Sequence, residues 1–323
     1  MRSVTCTEIG PLERLVVGEG PDPEVRPGGV VVEVEAAGVN YVDALFVQGR
    51  YQIKPPVPFV PGSEVAGRIV EVGEGVDGWA PGDRVMAMVG LGGFASRVAA
   101  PARSLVRVPD RMDSARAAGF IQSYCTALFA LSRRARLAAG ETVVVLGAGG
   151  GVGLAAIDVA TGLGARAIGA ASSPEKRAAA EAAGAEAVID YGTEDLKARM
   201  RELTGGGADV VLDPVGGDHA EPALRGLGRF GRYIVIGFAG GPIPKLPLNQ
   251  VLLNNRSVLG VDWGAWTGVD PAGQQDVLVE LVAMVEAGSL TPAAPEVRPL
   301  EGAVEALGDL LERRVTGKVV LVP

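Results

Sequence analysis

The sequence predicts an α/β protein in which a doubly wound parallel sheet is inserted into an irregular β-barrel-like domain. Three observations predict it. From about residue 140 to about 262, apolar strand-like segments alternate with helix-forming ones. A glycine-rich turn follows the first of those strands, and the stretch before residue 110 reads as short strands broken by Gly and Pro turns. Alternation of this kind builds a parallel sheet covered on both faces, whereas closely spaced turns build an antiparallel barrel or sandwich.

The expected strands of the parallel sheet are 142–146, 165–170, 187–190, 209–212, 233–237 and 258–262. Helices 152–161, 174–183, 194–203 and 220–227 fill the gaps, and 115–136 is helix-rich. Six strands in this order fit a doubly wound nucleotide-binding sheet. In the first part, strand 30–34 follows Arg26-Pro27-Gly28-Gly29. Strand 65–72 runs into Gly73-Glu74-Gly75, and strand 84–89 follows Pro81-Gly82-Asp83. The tail carries helices 274–287 and 300–313 and a closing strand 318–322. The expected division is therefore 1–122 with 264–323 for the barrel-like domain and 123–263 for the inserted sheet.

Composition agrees with two well-filled cores: 323 residues, 48% hydrophobic and 21% charged, with the charges interspersed. Forty-seven glycines and 22 prolines suit many tight turns better than a helical bundle. A net charge of −8 argues against nucleic acid as the main partner, since phosphate binding favours a basic face. Two cysteines, Cys6 and Cys125, form no disulfide framework and fit a reducing compartment. No basic stretch precedes an apolar run at the N-terminus, and apolar runs break well before about 18 residues, so neither a secretory signal nor a membrane span is expected. The expected location is the cytoplasm.

The strongest local signal is Val143-Val144-Val145-Leu146 followed by Gly147-Ala148-Gly149-Gly150-Gly151-Val152-Gly153 and an apolar helix. Glycines let the backbone approach a pyrophosphate, whose charge rests on N–H groups at the helix N-terminus. Gly147, Gly150, Gly151, Val152 and Gly153 are the candidate contacts. The spacing is G-x-x-G-x-x-G, one residue longer than the usual G-x-G-x-x-G.

The end of the second strand selects the cofactor. A dinucleotide with a free ribose 2′-hydroxyl needs an Asp or Glu there. The sequence offers Ala170-Ala171-Ser172-Ser173-Pro174-Glu175-Lys176-Arg177, with no acid at the expected place. Hydroxyls and cations suit a 2′-phosphate, which predicts NADPH/NADP. The same residues also read as a helix start, with Ser172 or Ser173 as N-cap, Pro174 in the first turn and Glu175 completing a capping box.

Taken together, several motifs resemble the zinc-independent quinone oxidoreductase branch of the medium-chain dehydrogenase/reductase superfamily. They are Ala37-Gly38-Val39-Asn40 with Asp43, Pro61-Gly62-Ser63-Glu64-Val65-Ala66-Gly67, Pro81-Gly82-Asp83-Arg84-Val85, the glycine loop, Ser172 to Lys176, Ile189-Asp190-Tyr191, Asp213 with Val215-Gly216-Gly217, and Gly317-Lys318-Val319-Val320. The resemblance runs nearly end to end and implies a Rossmann domain inserted into a GroES-like domain. In zinc-dependent relatives a Cys stands at the position of Asn40, a His at Ser63, and a third ligand roughly at Gln122. Amides and a hydroxyl are poor zinc ligands beside thiolate and imidazole, so no metal is expected. The one histidine, His219, reads as a surface or cap residue.

The resemblance also implies roles. Residues matching Asn40 and Thr126 lie near the nicotinamide. Those matching Ser172, Lys176 and Tyr191, with Ser173 beside them, hold the 2′-phosphate. The segment with Gly237 and Phe238 lines the nicotinamide, and Lys318 lies near the cofactor. Many relatives carry an active-site Tyr where this chain has Leu45; Tyr51 is the best candidate for a hydroxyl facing the substrate, with Tyr41 and Tyr124 behind it. Asn40, Tyr51 and Thr126 are thus the catalytic candidates. The substrate implied is a small electrophile, quinone or enone. Three functions stay open: quinone reduction, reduction of the C=C bond of an enone, 2-alkenal or enoyl thioester, and non-enzymatic NADPH binding. The resemblance also implies a homodimer paired through the last strand of the inserted sheet, and the apolar run Val258-Leu259-Gly260-Val261, otherwise an open edge, gives it modest support.

Overall fold

The computed structural model describes residues Met1–Pro323. Its strands, in chain order, are β1 (Arg2–Cys6), β2 (Leu15–Glu19), β3 (Gly29–Val39), β4 (Glu64–Val72), β5 (Arg84–Met88), β6 (Arg97–Pro101), β7 (Leu105–Arg107), β8 (Thr142–Leu146), β9 (Arg166–Ala171), β10 (Ala187–Asp190), β11 (Ala208–Asp213), β12 (Leu227–Val235), β13 (Ser257–Gly260), β14 (Glu296–Pro299) and β15 (Val319–Val322). The chain forms two compact units: Met1–Gln122 with Ala294–Pro323, and Ser123–Ala293.

The second unit is built on a six-stranded sheet ordered β10-β9-β8-β11-β12-β13, parallel throughout. This is the expected doubly wound sheet. Val143, Val144, Val145 and Leu146 are fully buried, as a central strand covered on both faces requires. The connection reverses at β8, whose neighbours are β9 and β11, so its C-terminal end is the switch point where such sheets bind ligands.

Residues 264–293 belong with this sheet, not with the first unit as expected. Helix Pro271–Glu286 buries Val277, Leu278, Leu281 and Val285. The Trp263 indole N–H donates to Gln274 Oε1 at 2.6 Å, and Trp266 stacks on Phe129 with ring centroids 4.3 Å apart. An amphipathic helix displays its apolar stripe in sequence, but not which core that stripe joins.

The first unit holds a seven-stranded sheet: β14-β15-β3-β4-β5-β7 in order, with β6 also on β3. All its pairs are antiparallel except β14 with β15. The eleven-residue β3 organises it: β6 pairs with its first half, β15 with its last residues and β4 along its length. Two register shifts, at Val31/Val32 and Val34/Ala36, bend β3 so that it can serve all three. The separate hairpin β1–β2 is tied down by Cys6 N–H to Phe59 O at 2.7 Å and Val4 N–H to Phe94 O at 2.9 Å.

Strands β1, β2, β6, β7 and β14, and the helices Tyr41–Val47, Leu248–Leu252 and Trp263–Val269, were not legible in the sequence pattern. Strand β12 starts at Leu227, earlier than expected, and the helix-rich stretch 115–136 holds three helical pieces: Ser114–Ala118, Ile121–Leu128 and a π-helical Phe129–Arg134. No helix is long and apolar enough to cross a membrane.

Gly67 faces the second register shift. A Cβ there would lie 1.9 Å from Glu33 O and 2.9 Å from Glu33 C, both backbone atoms. Gly67→Ala should therefore cost roughly 3 kcal/mol or more, because β3 and β4 must part. Urea unfolding checks this; a loss under 1 kcal/mol would mean the bulge relaxes freely.

Candidate active site

In the first unit, strand β3 ends at Val39 and Asn40 starts helix Tyr41–Val47. Asn40 is the N-cap of a capping box: its backbone N–H donates to Asp43 Oδ2 at 2.8 Å. Register pairing of Val39 with Val319 brings Lys318, at the start of β15, beside Asn40. The Lys318 ammonium donates to Asn40 Oδ1 at 2.6 Å and to Glu64 Oε1 at 2.7 Å. Only an oxygen can face an ammonium, so the Asn40 carboxamide has a forced orientation. Its Nδ2 donates to Glu64 Oε1 at 2.9 Å and to Ser63 Oγ at 3.3 Å. Ser63 in turn donates to Gln122 Oε1 at 2.9 Å, and the Gln122 backbone N–H donates to Glu64 Oε2 at 2.9 Å.

Glu64 is fully buried at the start of β4 and is the hub of this cluster. A carboxylate is tolerable there because a cation and two N–H groups satisfy it. Missing side chains make room: a Cβ on Gly38 would lie 2.5 Å from Glu64 Oε1, and one on Gly119 would lie 2.7 Å from Lys318 Cγ. The sequence reading missed Glu64 as a site residue. Its one signal was an acid opening the otherwise apolar run Glu64-Val65-Ala66.

The positions that resemble a zinc-ligand set, Asn40, Ser63 and Gln122, are thus hydrogen-bonded to one another. Both Asn40 amide hydrogens and the Ser63 hydroxyl hydrogen are committed inside the cluster. Asn40 can accept a hydrogen bond from a ligand, but it has none left to donate.

Asp43 is fully buried, and its Oδ1 has no hydrogen-bond partner. Burial pushes its carboxyl up to about 7, against the pull of the Asn40 N–H, the Lys318 charge and the nearby Ser63 hydroxyl; the Glu64 charge pushes the same way as burial.

The tyrosine candidates separate. Tyr51 packs its ring edge-on against Phe46, with centroids 5.0 Å apart. Tyr124 is buried in the second unit, where its hydroxyl donates to Asp158 Oδ2 at 2.7 Å. Burial holds it well above the usual phenol range, so its proton serves the structure. Thr126 lies on helix Ile121–Leu128 and is 8% exposed.

In the second unit, the glycine loop has the form a pyrophosphate cradle needs. Gly147 adopts φ 59°, and Gly150 donates its N–H to Gly147 O at 3.0 Å and caps helix Gly151–Gly162. The first-turn N–H groups of that helix, at Gly151, Val152 and Gly153, have no intrahelical acceptor. A Cβ on Gly153 would lie 2.3 Å from Gly147 O, so helix and turn pack backbone to backbone. These residues fit a dinucleotide.

Beside the loop, a Cβ on Gly149 would lie 2.4 Å from Lys176 Cβ and 2.7 Å from its Cγ. The Lys176 stem therefore lies directly on the glycine loop. Ser173, not Ser172, is the N-cap of helix Pro174–Ala182, accepting from Lys176 N–H at 3.3 Å. Glu175 consequently sits one place short of a capping box. Its own N–H and the Ser173 hydroxyl hold its carboxyl below the usual range. Ser172 is exposed. Arg177 is committed elsewhere, pairing with Asp190 at 2.9 Å. Tyr191 follows Asp190 and packs on His219, with ring centroids 4.2 Å apart. His219 stands at the N-cap position of helix Ala220–Gly226, without a side-chain cap hydrogen bond, and its ring stacks on Tyr191.

The loops after β11 and β12 are bonded to each other, Ala239 N–H to Pro214 O at 3.1 Å and Gly240 N–H to Val215 O at 2.7 Å. Buried Asp213 shapes them by accepting from the N–H groups of Val215 and Gly216 and from the Tyr233 hydroxyl. Gly237 and Phe238 sit on this layer at the strand C-terminal ends, with Phe238 38% exposed against Gly216.

A parallel sheet with a glycine cradle at its switch point, joined in one chain to a β-rich unit with a buried polar cluster, defines a two-domain dinucleotide-dependent oxidoreductase. Residues 26–110 match the alcohol dehydrogenase GroES-like domain, and residues 151–281 match the zinc-binding dehydrogenase family. The chain is 38% identical over 322 residues to quinone oxidoreductase-like protein 2 of Bos taurus, covering 99% of this chain and 92% of that protein. Its fold matches the quinone oxidoreductase of Thermus thermophilus, solved also as its NADPH complex, with TM-score 0.85, 36% identity and complete coverage of both chains. It also matches the Escherichia coli quinone oxidoreductase complexed with NADPH, with TM-score 0.90, 28% identity and complete coverage of both. The chain belongs to the quinone oxidoreductase branch of the medium-chain dehydrogenase/reductase superfamily.

Because the folded state holds the Asp43 proton more tightly than the unfolded chain, Asp43 works against stability as pH rises from about 4 towards 7. Asp43→Asn keeps an oxygen for the Asn40 N–H but cannot ionise. Its stability relative to the parent should rise with pH across that window, by on the order of 1 kcal/mol per pH unit. Urea unfolding at pH 5, 6 and 7 tests it; a constant difference between the two proteins would mean that Asp43 does not titrate there.

Proposed function

We propose that the chain is an NADPH-dependent reductase of quinones that works without zinc. The observation that carries the reading is the corner after β9, where no carboxylate replaces Ser172 or Ser173 and the Lys176 stem lies on the glycine loop. A 2′-phosphate there meets a cation, a hydroxyl and Tyr191. The pyrophosphate rests on Gly150, Gly151, Val152 and Gly153, and Gly147 makes the turn. Gly237, Phe238, Thr126, Asn40 and Lys318 are assigned to the nicotinamide end on the strength of the resemblance. NADPH supplies a hydride; the chain positions its acceptor and holds the charge that develops. The names of the relatives, and the NADPH in the Thermus and Escherichia coli complexes, support the same reading.

Quinones are the proposed acceptors because their reduced forms are stabilised by conjugation and ask little of the protein. NADPH consumption against benzoquinones, naphthoquinones, 2-alkenals and crotonyl thioesters tests this. Turnover of alkenals or thioesters alone would replace quinone with C=C reduction. Tight binding with no turnover on any acceptor would leave only a nucleotide-binding role.

Zinc independence rests on Asn40, Ser63 and Gln122, whose amides and hydroxyl satisfy one another. Elemental analysis should find far less than one zinc per chain; a stoichiometric, tightly held zinc would overturn it. A homodimer through β13 is proposed on the exposure of that edge strand, Val258 being 40% exposed. Light scattering should then read twice the 33.0 kDa chain mass.

Lys176→Ala should weaken NADPH binding about tenfold to a hundredfold at low salt and leave NADH nearly unchanged. Because Arg177 is bound to Asp190, the single change should suffice. Fluorescence titration of both cofactors decides; an unaltered NADPH-to-NADH ratio would remove Lys176 from the phosphate site.

A further inference from the structure

We infer that Tyr191 and His219 together form the platform on which the adenine base of NADPH stacks, which makes His219 a cofactor-binding residue. This rests on the NADPH reading above and extends it from the phosphates to the base.

Both residues belong to the second unit, which also carries the glycine loop. Tyr191 follows the last residue of β10, and His219 ends the helical turn Gly217–His219 after β11. The sheet is parallel, so both stand at its C-terminal end. In the order β10-β9-β8-β11 their strands are three spacings apart, about 14 Å. The rings nevertheless lie with centroids 4.2 Å apart and planes tilted by 34°. The pair therefore crosses the ends of β9 and β8. Those ends carry the corner that receives the adenosine ribose and the loop that receives the pyrophosphate. A base joined to that ribose reaches the ring pair without leaving the strand ends.

Both rings sit on chain that is held before a ligand arrives. Asp190 N–H donates to Glu194 Oε2 at 2.7 Å and Gly192 N–H to Asp190 Oδ1 at 3.0 Å, which pins the residues on either side of Tyr191. Across the crevice, Asp213 accepts from the N–H groups of Val215 and Gly216. Gly216 and Gly217 then take φ 66° and 57°, the left-handed turn that leads into Gly217–His219. Tyr191 is backed by the apolar core that includes Ala220 and Leu224. Both residues are half-buried, so part of each remains accessible, and the His219 imidazole makes no cap hydrogen bond. A nucleobase is held by its π face, which asks for flat surface placed in advance rather than for donors. Lys176 answers to the 2′-phosphate, and the ring pair to the base that NADPH and NADH share.

His219→Ala, His219→Phe and Lys176→Ala are compared with the tag-free parent for binding of 5′-AMP, 2′,5′-ADP and inorganic pyrophosphate, with thermal midpoints as a check on folding. His219→Ala should weaken 5′-AMP and 2′,5′-ADP by the same factor, about tenfold, and leave pyrophosphate within about twofold. His219→Phe, which keeps a flat ring, should stay within about threefold of the parent on all three. Lys176→Ala should weaken 2′,5′-ADP alone. His219 is the chain's one histidine, so its ring protons can be followed singly by NMR in the parent. They should move upfield as 5′-AMP is added, through the ring current of the base. Unmoved histidine signals at saturating 5′-AMP, an unchanged 5′-AMP affinity in His219→Ala, or a loss confined to 2′,5′-ADP would each overturn the stacking role alone. A parent that binds neither 2′,5′-ADP nor NADPH overturns the NADPH reading and the stacking role with it.

Discussion

The first unit is arranged around one buried negative charge. Glu64 opens β4 in full enclosure, and an unpaired carboxylate in that place would be untenable. Its needs dictate its surroundings: Lys318 from the closing strand neutralises it, Asn40 from the end of β3 donates to it, and the Gln122 backbone donates to its second oxygen. Three distant stretches of chain meet because one carboxylate must be satisfied. Removing either member of a buried pair typically costs about 3–5 kcal/mol, while replacing both with neutral groups costs far less. The same arrangement that stabilises the unit leaves a single charged N–H over.

Asp43 shows the other side of this economy of donors. The cluster gives Glu64 three hydrogen-bond donors and Asp43 only the Asn40 N–H, leaving Oδ1 without a partner. Two buried carboxyls a few residues apart in space cannot both be fully charged at low cost, and the one with fewer donors yields. Burial accordingly carries Asp43 towards neutrality near physiological pH, while the cation stays with Glu64.

In the second unit the governing constraint is steric. Gly153 lets the helix start rest on the turn backbone, and Gly149 leaves the space that the Lys176 stem fills. The position of the lysine is thereby tied to a glycine: the loop that turns tightly after β8 also seats the Lys176 stem beside it. The Arg177–Asp190 pair takes the neighbouring cation out of competition, and Asp213 stiffens the loops that carry Phe238.

Much of this was written locally. Strand periodicity marked β8 and β10 to the residue, the glycine run placed the cradle, and the missing acid after β9 pointed to a 2′-phosphate, because each depends on neighbours a few positions apart. The short strands β6, β7 and β14 carried no such period and were decided by pairing with β3, β5 and β15. The allegiance of helix Pro271–Glu286 was likewise a matter of which core lay beneath it. Asn40, Lys176 and Lys318 were recognisable as residues, but their partners were not. Lys318 meets Asn40 across 278 positions, through a register set by β3 and β15. Composition and motif determined which donors and acceptors the chain owns. Only the tertiary structure decided how they are shared, because a hydrogen bond is allotted by distance and direction, and those exist only once the strands are paired.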